Sequence, residues 1–180
     1  MPPAIPTVTS RASSVTRRTV PDRIVAGTWA YAAAIAQGDV LIRGADASHL
    51  RVALDKLAHA GAHMTDLGAD PIHGGFRVQM TQRPRAVDVV TLPFPGFATD
   101  MQAQYMALAT QSEGASIITE TIFETRYSHA SEMHRMGANI SVDGRRAVVR
   151  CVSALKGTTV TARRFAARAP LGVAGLVATA

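Results

Sequence analysis

The chain repeats itself at an offset of 76 residues, and this constrains its fold more than any composition does. Gly38-Asp-Val-Leu-Ile42 aligns with Gly114-Ala-Ser-Ile-Ile118, and Leu57-Ala-His-Ala-Gly-Ala-His-Met64 with Met133-His-Arg-Met-Gly-Ala-Asn-Ile140. The same offset sets Trp29 on Tyr105 and Ala33 on Ala109. Self-similarity at one period means one supersecondary unit used more than once, because a single unit cannot bury its own apolar face. Each copy predicts a helix (Arg23 to Ala36; Asp100 to Thr110), then a glycine-led strand (Val40 to Arg43; Ser116 to Glu120). A second helix follows (Ala47 to Ala60; Ser128 to Met136), closed by Gly61 or Gly137, and then further strands. The units cover about 20–88 and 89–160 and give an α/β class with apolar faces on every element.

A third copy begins and is cut short. Val160 to Ala178 predicts another turn and helix, but the chain stops where the earlier copies open a strand, which leaves neighbouring edges uncovered. Pro170 inside that helix is expected to kink or break it, at about 3 kcal/mol. Segment 161–180 is thus expected to be an incomplete, divergent third unit, and 1–19, rich in Ser, Thr, Pro and Arg, a disordered tail.

One stretch offers chemistry. Pro93-Phe-Pro-Gly-Phe-Ala-Thr-Asp-Met-Gln-Ala-Gln-Tyr105 is a rigid turn running into a helix start. Thr99 and Gln102 have capping-box spacing, which puts Asp100 in the first turn beside the positive end of the helix dipole. Such a carboxylate either compensates the dipole or faces a ligand, and spacing alone does not choose.

Composition removes several classes. An apolar fraction of 47% over 180 residues supports a real core. The net charge of +6 permits an anionic partner, yet three Tyr, one Trp and five Phe supply a poor stacking platform for nucleic acid. Basic residues Arg145, Arg146, Arg150, Arg163, Arg164 and Arg168 are scattered, since alternate strand residues point to opposite faces. The single Cys151 fits a reducing compartment, and its strand-like run Val148-Val-Arg-Cys-Val152 points to a buried structural thiol. No apolar stretch reaches the roughly 20 residues of a spanning helix, so a cytoplasmic location is expected, with no membrane and no nucleic-acid partner. His59 and His63 are separated by a helix end and lack a carboxylate ligand; His129, Glu132 and His134 lack zinc spacing. No metal or cofactor is expected.

Four runs carry a family resemblance: Pro21-Asp-Arg-Ile-Val-Ala-Gly-Thr28, Gly38-Asp-Val-Leu-Ile-Arg-Gly-Ala45, Asp88-Val-Val-Thr-Leu-Pro-Phe-Pro-Gly-Phe-Ala-Thr-Asp-Met-Gln-Ala-Gln104 and Ile118-Thr-Glu-Thr-Ile-Phe-Glu-Thr-Arg126. From about Val20 to Val160 the chain resembles the UDP-N-acetylglucosamine 1-carboxyvinyltransferases, enolpyruvyl transferases related to 5-enolpyruvylshikimate-3-phosphate synthase. The resemblance implies an inside-out α/β barrel-type domain, helices inside and sheets outside, paired in the family with a second domain that closes over the substrates. It implies transfer of the enolpyruvyl group of phosphoenolpyruvate to the 3-hydroxyl of UDP-N-acetylglucosamine, in peptidoglycan synthesis.

The same resemblance implies site residues. Asp100 corresponds to the family's aspartate that contacts the sugar and acts as base; proton transfer at a hydroxyl requires such a group. Ile122 and Phe123 match positions packed against the nucleotide-sugar. Arg126 matches an arginine near the phosphoenolpyruvate end, where a guanidinium fork suits carboxylate and phosphate. Arg23 and Asp22 are weaker candidates for lining the cleft. Cys151 stands where the family usually has glycine, and Arg164 and Ala166 stand where it has an aspartate and an arginine. The family's catalytic lysine and loop cysteine belong to the domain this sequence lacks. The ends are therefore expected to reflect a truncated or frame-shifted product, inactive alone. Two alternatives stay open: a non-catalytic remnant that binds UDP-sugar or associates with a full-length enzyme or with itself, and a basic nucleic-acid binder.

Overall fold

The structure is a computed structural model that describes residues 19–70, 72–161 and 168–179. The first unit runs α1 (Arg23–Ile35), β1 (Asp39–Arg43), a 3₁₀ turn at Ala47–Leu50, α2 (Arg51–His59), β2 (His63–Asp66) and β3 (Gly75–Gln79). The second runs β4 (Val89–Val90), a 3₁₀ turn at Thr99–Met101, α3 (Gln102–Thr110), β5 (Ala115–Thr119), α4 (Ala130–Arg135), β6 (Asn139–Asp143) and β7 (Arg146–Arg150). A third starts with β8 (Leu155–Lys156), α5 (Arg168–Gly175) and β9 (Ala178–Thr179). The expected repeat is present: β1 and β5, and β2 and β6, begin 76 residues apart. Gly61 and Gly137 follow α2 and α4 with φ of 111° and 89°, a conformation that costs glycine nothing.

Strands β1, β3 and β2 form an antiparallel sheet in that order, with Val40 opposite Val78 and Ile42 opposite Phe76. The second sheet, β4-β5-β7-β6, joins β4 to β5 in parallel through α3 and continues antiparallel, Ile118 facing Ala147 and Ile140 facing Val149. In β5 to β7 the inward residues are apolar apart from Ser116 and the alternate residues are half-buried or exposed, so the second sheet has one solvent face.

Helices α1, α3 and α5 pack on one another in the centre. Helix α3 is buried on all sides, as a helix enclosed by neighbours must be. Tyr31 and Tyr105 meet edge to face, ring centroids 6.1 Å apart, and Phe97 meets Tyr105 in the same way. Equivalent positions of the two units touch here: the Gln104 amide donates to the Thr28 hydroxyl at 3.0 Å, 76 residues away. This is the helices-inside, sheets-outside arrangement expected of the α/β repeat.

Three expectations need correction. The third unit does not stop before its strand, and Pro170 does not break its helix. α5 buries Pro170, Leu171, Val173 and Ala174, and β9 pairs in parallel with β8, Leu155 opposite Ala178, as β5 pairs with β4. Pro170 stands two residues after Arg168, the first described residue of α5, and the helix continues past it to Gly175. Cys151 is not inside a strand: β7 pairing ends at Arg150 opposite Ala115, and Cys151 follows half-buried at the sheet margin. Residues 1–18, and with them the expected tail, lie outside the described residues, as do Arg163, Arg164 and Ala166.

Candidate active site

Asp100 sits in the 3₁₀ turn that leads into α3, beside the helix start as its spacing indicates. The capping box itself does not form. Ala98 holds the cap position without a side-chain bond, the Thr99 hydroxyl donates to Glu120 Oε2 at 2.7 Å, and Gln102 is fully buried. The physical reason is Glu120: a buried carboxylate needs donors more than an exposed helix end does.

Glu120 follows β5, and its burial continues the inward alternation of Ser116 and Ile118; all three are fully buried. Its Oε1 accepts from the Thr91 hydroxyl at 2.9 Å and from the backbone N–H groups of Ile122 (2.9 Å) and Phe123 (3.1 Å). Thr121 N–H in turn donates to the Thr91 hydroxyl at 2.9 Å. Segment 120–126 is thereby tied to the end of β4 and to the turn that carries Asp100.

Arg126 closes the arrangement. Its Nη2 pairs with Asp100 Oδ1, and its guanidinium carbon lies 4.8 Å from the centroid of the Phe123 ring. A cation over a ring face and against a carboxylate is held on two sides. Ile122 and Phe123 are part-exposed at 37% and 47%, available to a ligand next to the ion pair. Asp100, Ile122, Phe123 and Arg126, distant in sequence, thus share one rim. His129 lies nearby, buried, its tilted ring 6.4 Å from that of Tyr127. Burial first, and the Arg126 charge second, lower its pKa to about 4.

On the other side of Asp100 opens a cleft of about 540 Å³. Asp22, Val25, Thr28 and Trp29 of the α1 side line it with Gln104 and Ala169. Asp22 also caps α1, accepting from Ile24 N–H at 2.8 Å. Arg23 is not among the cleft's lining residues; its guanidinium carbon stands 5.3 Å from the centroid of the exposed Phe94 ring. Trp29 is 60% exposed, an apolar surface that the sequence reading used only to fix the repeat. Glu120 was likewise overlooked as an organiser, although a carboxylate continuing the inward period of an apolar strand is itself a signal. Among the described residues no three His, Cys, Asp or Glu side chains converge to hold a metal, and no helix is long and apolar enough to cross a membrane.

The comparisons bear on this geometry. The chain is 48% identical over 168 residues to UDP-N-acetylglucosamine 1-carboxyvinyltransferase of Corynebacterium jeikeium, which takes in 93% of this chain and 39% of that protein. It is 50% identical over 159 residues to the enzyme of the same name from Desulfatibacillum aliphaticivorans, 88% of this chain and 37% of that one. The chain therefore spans about two fifths of the length of these relatives. Its fold superposes on the enolpyruvyl transferase NikO from Streptomyces tendae with a TM-score of 0.75 at 25% identity, across 87% of this chain and 37% of that one. EPSP synthase from Acinetobacter baumannii gives a TM-score of 0.66 at 17% identity over 89% of this chain and 38% of its own, a likeness of fold. The family model described as EPSP synthase (3-phosphoshikimate 1-carboxyvinyltransferase) matches residues 7–180, including the third unit, and the chain belongs to that family of carboxyvinyl transferases.

Proposed function

We propose that this chain forms one half of a UDP-N-acetylglucosamine 1-carboxyvinyltransferase site, in which Asp100 receives the proton of the sugar 3-hydroxyl as it attacks the enolpyruvyl carbon of phosphoenolpyruvate. The single observation that carries this reading is the Asp100–Arg126 ion pair at the start of α3, with Ile122 and Phe123 exposed beside it. A carboxylate at the positive end of a helix suits a hydroxyl donor. Arg126 meets Asp100 through Nη2 alone and can offer an incoming carboxylate or phosphate its guanidinium fork, so a phosphoenolpyruvate anion competes for it and leaves Asp100 facing the hydroxyl. Ile122 and Phe123 supply apolar surface for the sugar ring. In the addition the methylene carbon takes up a proton and becomes a methyl group; the tetrahedral adduct then loses a proton from that methyl as its C–O bond to phosphate breaks, which restores the double bond and releases phosphate. The curated relatives' shared name supports the sugar substrate and the reaction class.

Alone, the chain is expected to bind without ordinary turnover. Catalysis divided between two closing bodies loses the positioning contribution, up to about 7 to 11 kcal/mol. Titration of the ¹⁵N-labelled chain with UDP-N-acetylglucosamine tests the site: shifts should concentrate at Asp100, Ile122, Phe123 and Arg126 and need a higher sugar concentration in Asp100→Ala. A coupled phosphate-release assay with both substrates should give less than about a thousandth of a complete enzyme's rate. Absence of any shift at those residues would overturn the site, and ordinary turnover would overturn inactivity.

A further inference from the structure

Glu120 is the only side chain described here that touches all three segments converging on the rim: the end of β4 through Thr91, the turn carrying Asp100 through Thr99, and the loop leading to Arg126 through the Ile122 and Phe123 amides. It is fully buried, and its four donors are hydroxyls and backbone amides. No ion pair to it is found among the described residues. The geometry assigns Glu120 as the positioning residue of the site: a buried carboxylate that sets the separation of Asp100 and Arg126 without meeting substrate. The assignment rests on the proposed function for the meaning of that separation, but not for its existence.

The physics favours an acceptor-only group at this place. Three donors converge on Oε1 and one on Oε2, and the two loop amides among them can only donate. A glutamine with its oxygen at the Oε1 place turns Nε2 toward the Thr99 hydroxyl, which can accept but releases its own proton; turned the other way it releases the loop amides, and in either pose every bond loses its charged acceptor. Each released group is buried or part-buried and must find a new partner, which moves the backbone that carries it. Asp100 and Arg126 are next to the two ends that would move. Their ion pair is partly exposed, at 57% and 21% of the respective side chains, so its geometry follows the backbone on either side.

The test compares Glu120→Gln and Thr99→Val with the unaltered chain. Amide hydrogen exchange reads the Ile122 and Phe123 N–H groups directly. Slowed exchange of the Arg126 guanidinium protons reports the ion pair without any ligand. In Glu120→Gln, at least one of these two protections should fall about tenfold, the loss expected for one hydrogen bond to a charged acceptor. In Thr99→Val only the Arg126 signal should respond, since the loop amides keep Oε1. Affinity for UDP-N-acetylglucosamine is then measured in both the Asp100 and the Asp100→Ala backgrounds. Glu120→Gln should weaken binding about tenfold in the first and less than about twofold in the second, because its effect passes through Asp100. Equal weakening in both backgrounds would mean a merely structural role and overturn the proposal. So would unchanged amide and guanidinium protection in a folded Glu120→Gln chain; if that variant does not fold, an unchanged Arg126 signal in Thr99→Val overturns it. Absence of sugar binding by the unaltered chain sinks the functional reading, while the two ligand-free readouts still decide the role of Glu120.

Discussion

His129 shows how one buried side chain sets the pH range of this rim. Its ring is 3% exposed and its pKa is lowered to about 4, by burial and then by the Arg126 charge. Below the unfolded value near 6.5 the unfolded chain binds a proton that the folded chain refuses, so stability falls as pH drops from about 6.5 toward 4. The stabilisation is complete above that window, and the loss across it is on the order of 3 kcal/mol. Urea unfolding at pH 7 and pH 5 should show a lower midpoint at pH 5, and His129→Gln should flatten that difference. An equal pH dependence in the variant would assign the effect to other groups. The sequence shows only that His129 lacks zinc spacing, since nothing in that spacing tells that the residue is buried at the start of α4. Asp100 and Arg126 were legible because their motif runs are long. The bonds that hold them were not, because Glu120 reaches Thr91 and Thr99 only once the sheet is built.

Among the elements, β3 depends on its first residue. Gly75 has φ of 138°, and a Cβ there would collide with the Ile42 carbonyl of β1, in the register where Arg43 faces Gly75. Both the backbone angle and the close approach exclude a side chain, and neither can relax without parting the central strand from its neighbour. Gly75→Ala is expected to destabilise by about 3 kcal/mol or more, read from the chemical unfolding midpoint. A cost under about 1 kcal/mol would show that β1 and β3 can slip apart locally. Element order and type were readable in the sequence because the repeat fixes the period and the glycines fix the ends. The 3₁₀ turns that open α2 and α3 were not: Asp46 accepting from the Ser48 N–H and Thr99 turning to Glu120 decide them. Pro170 misled for a different reason. A proline's cost depends on its surroundings, and only the structure shows α5 continuing past Pro170 to Gly175 with Pro170 buried.

For the molecule as a whole, the question is whether the third unit is a working part of the core or an appendage. The central packing answers it physically, because α1, α3 and α5 form one cluster and α3, buried on all sides, would otherwise present an open face. Repeat units are stabilised by their neighbours' interfaces more than by themselves, so loss of one interface is felt by the others. Leu171 and Val173 of α5 are 5% and 4% exposed, and Ala174 is fully buried. Truncating both larger side chains, Leu171→Ala with Val173→Ala, should cost on the order of 4 kcal/mol, from lost apolar burial and the space left behind. That is a large part of the 5–15 kcal/mol typical of a domain. For a chain of this size it should lower the thermal midpoint by about 10 °C. The discriminating feature is the shape of the melt. If α5 belongs to the core, the double variant melts in one transition at lower temperature, and near-ultraviolet signals from Tyr31 and Tyr105 are lost together with the helical signal. If α5 is an appendage, the midpoint for the tyrosines stays where it was and only a small early helical transition appears. The second outcome would return the third unit to a loosely held end and leave α3 with the uncovered face that the sequence alone led one to expect.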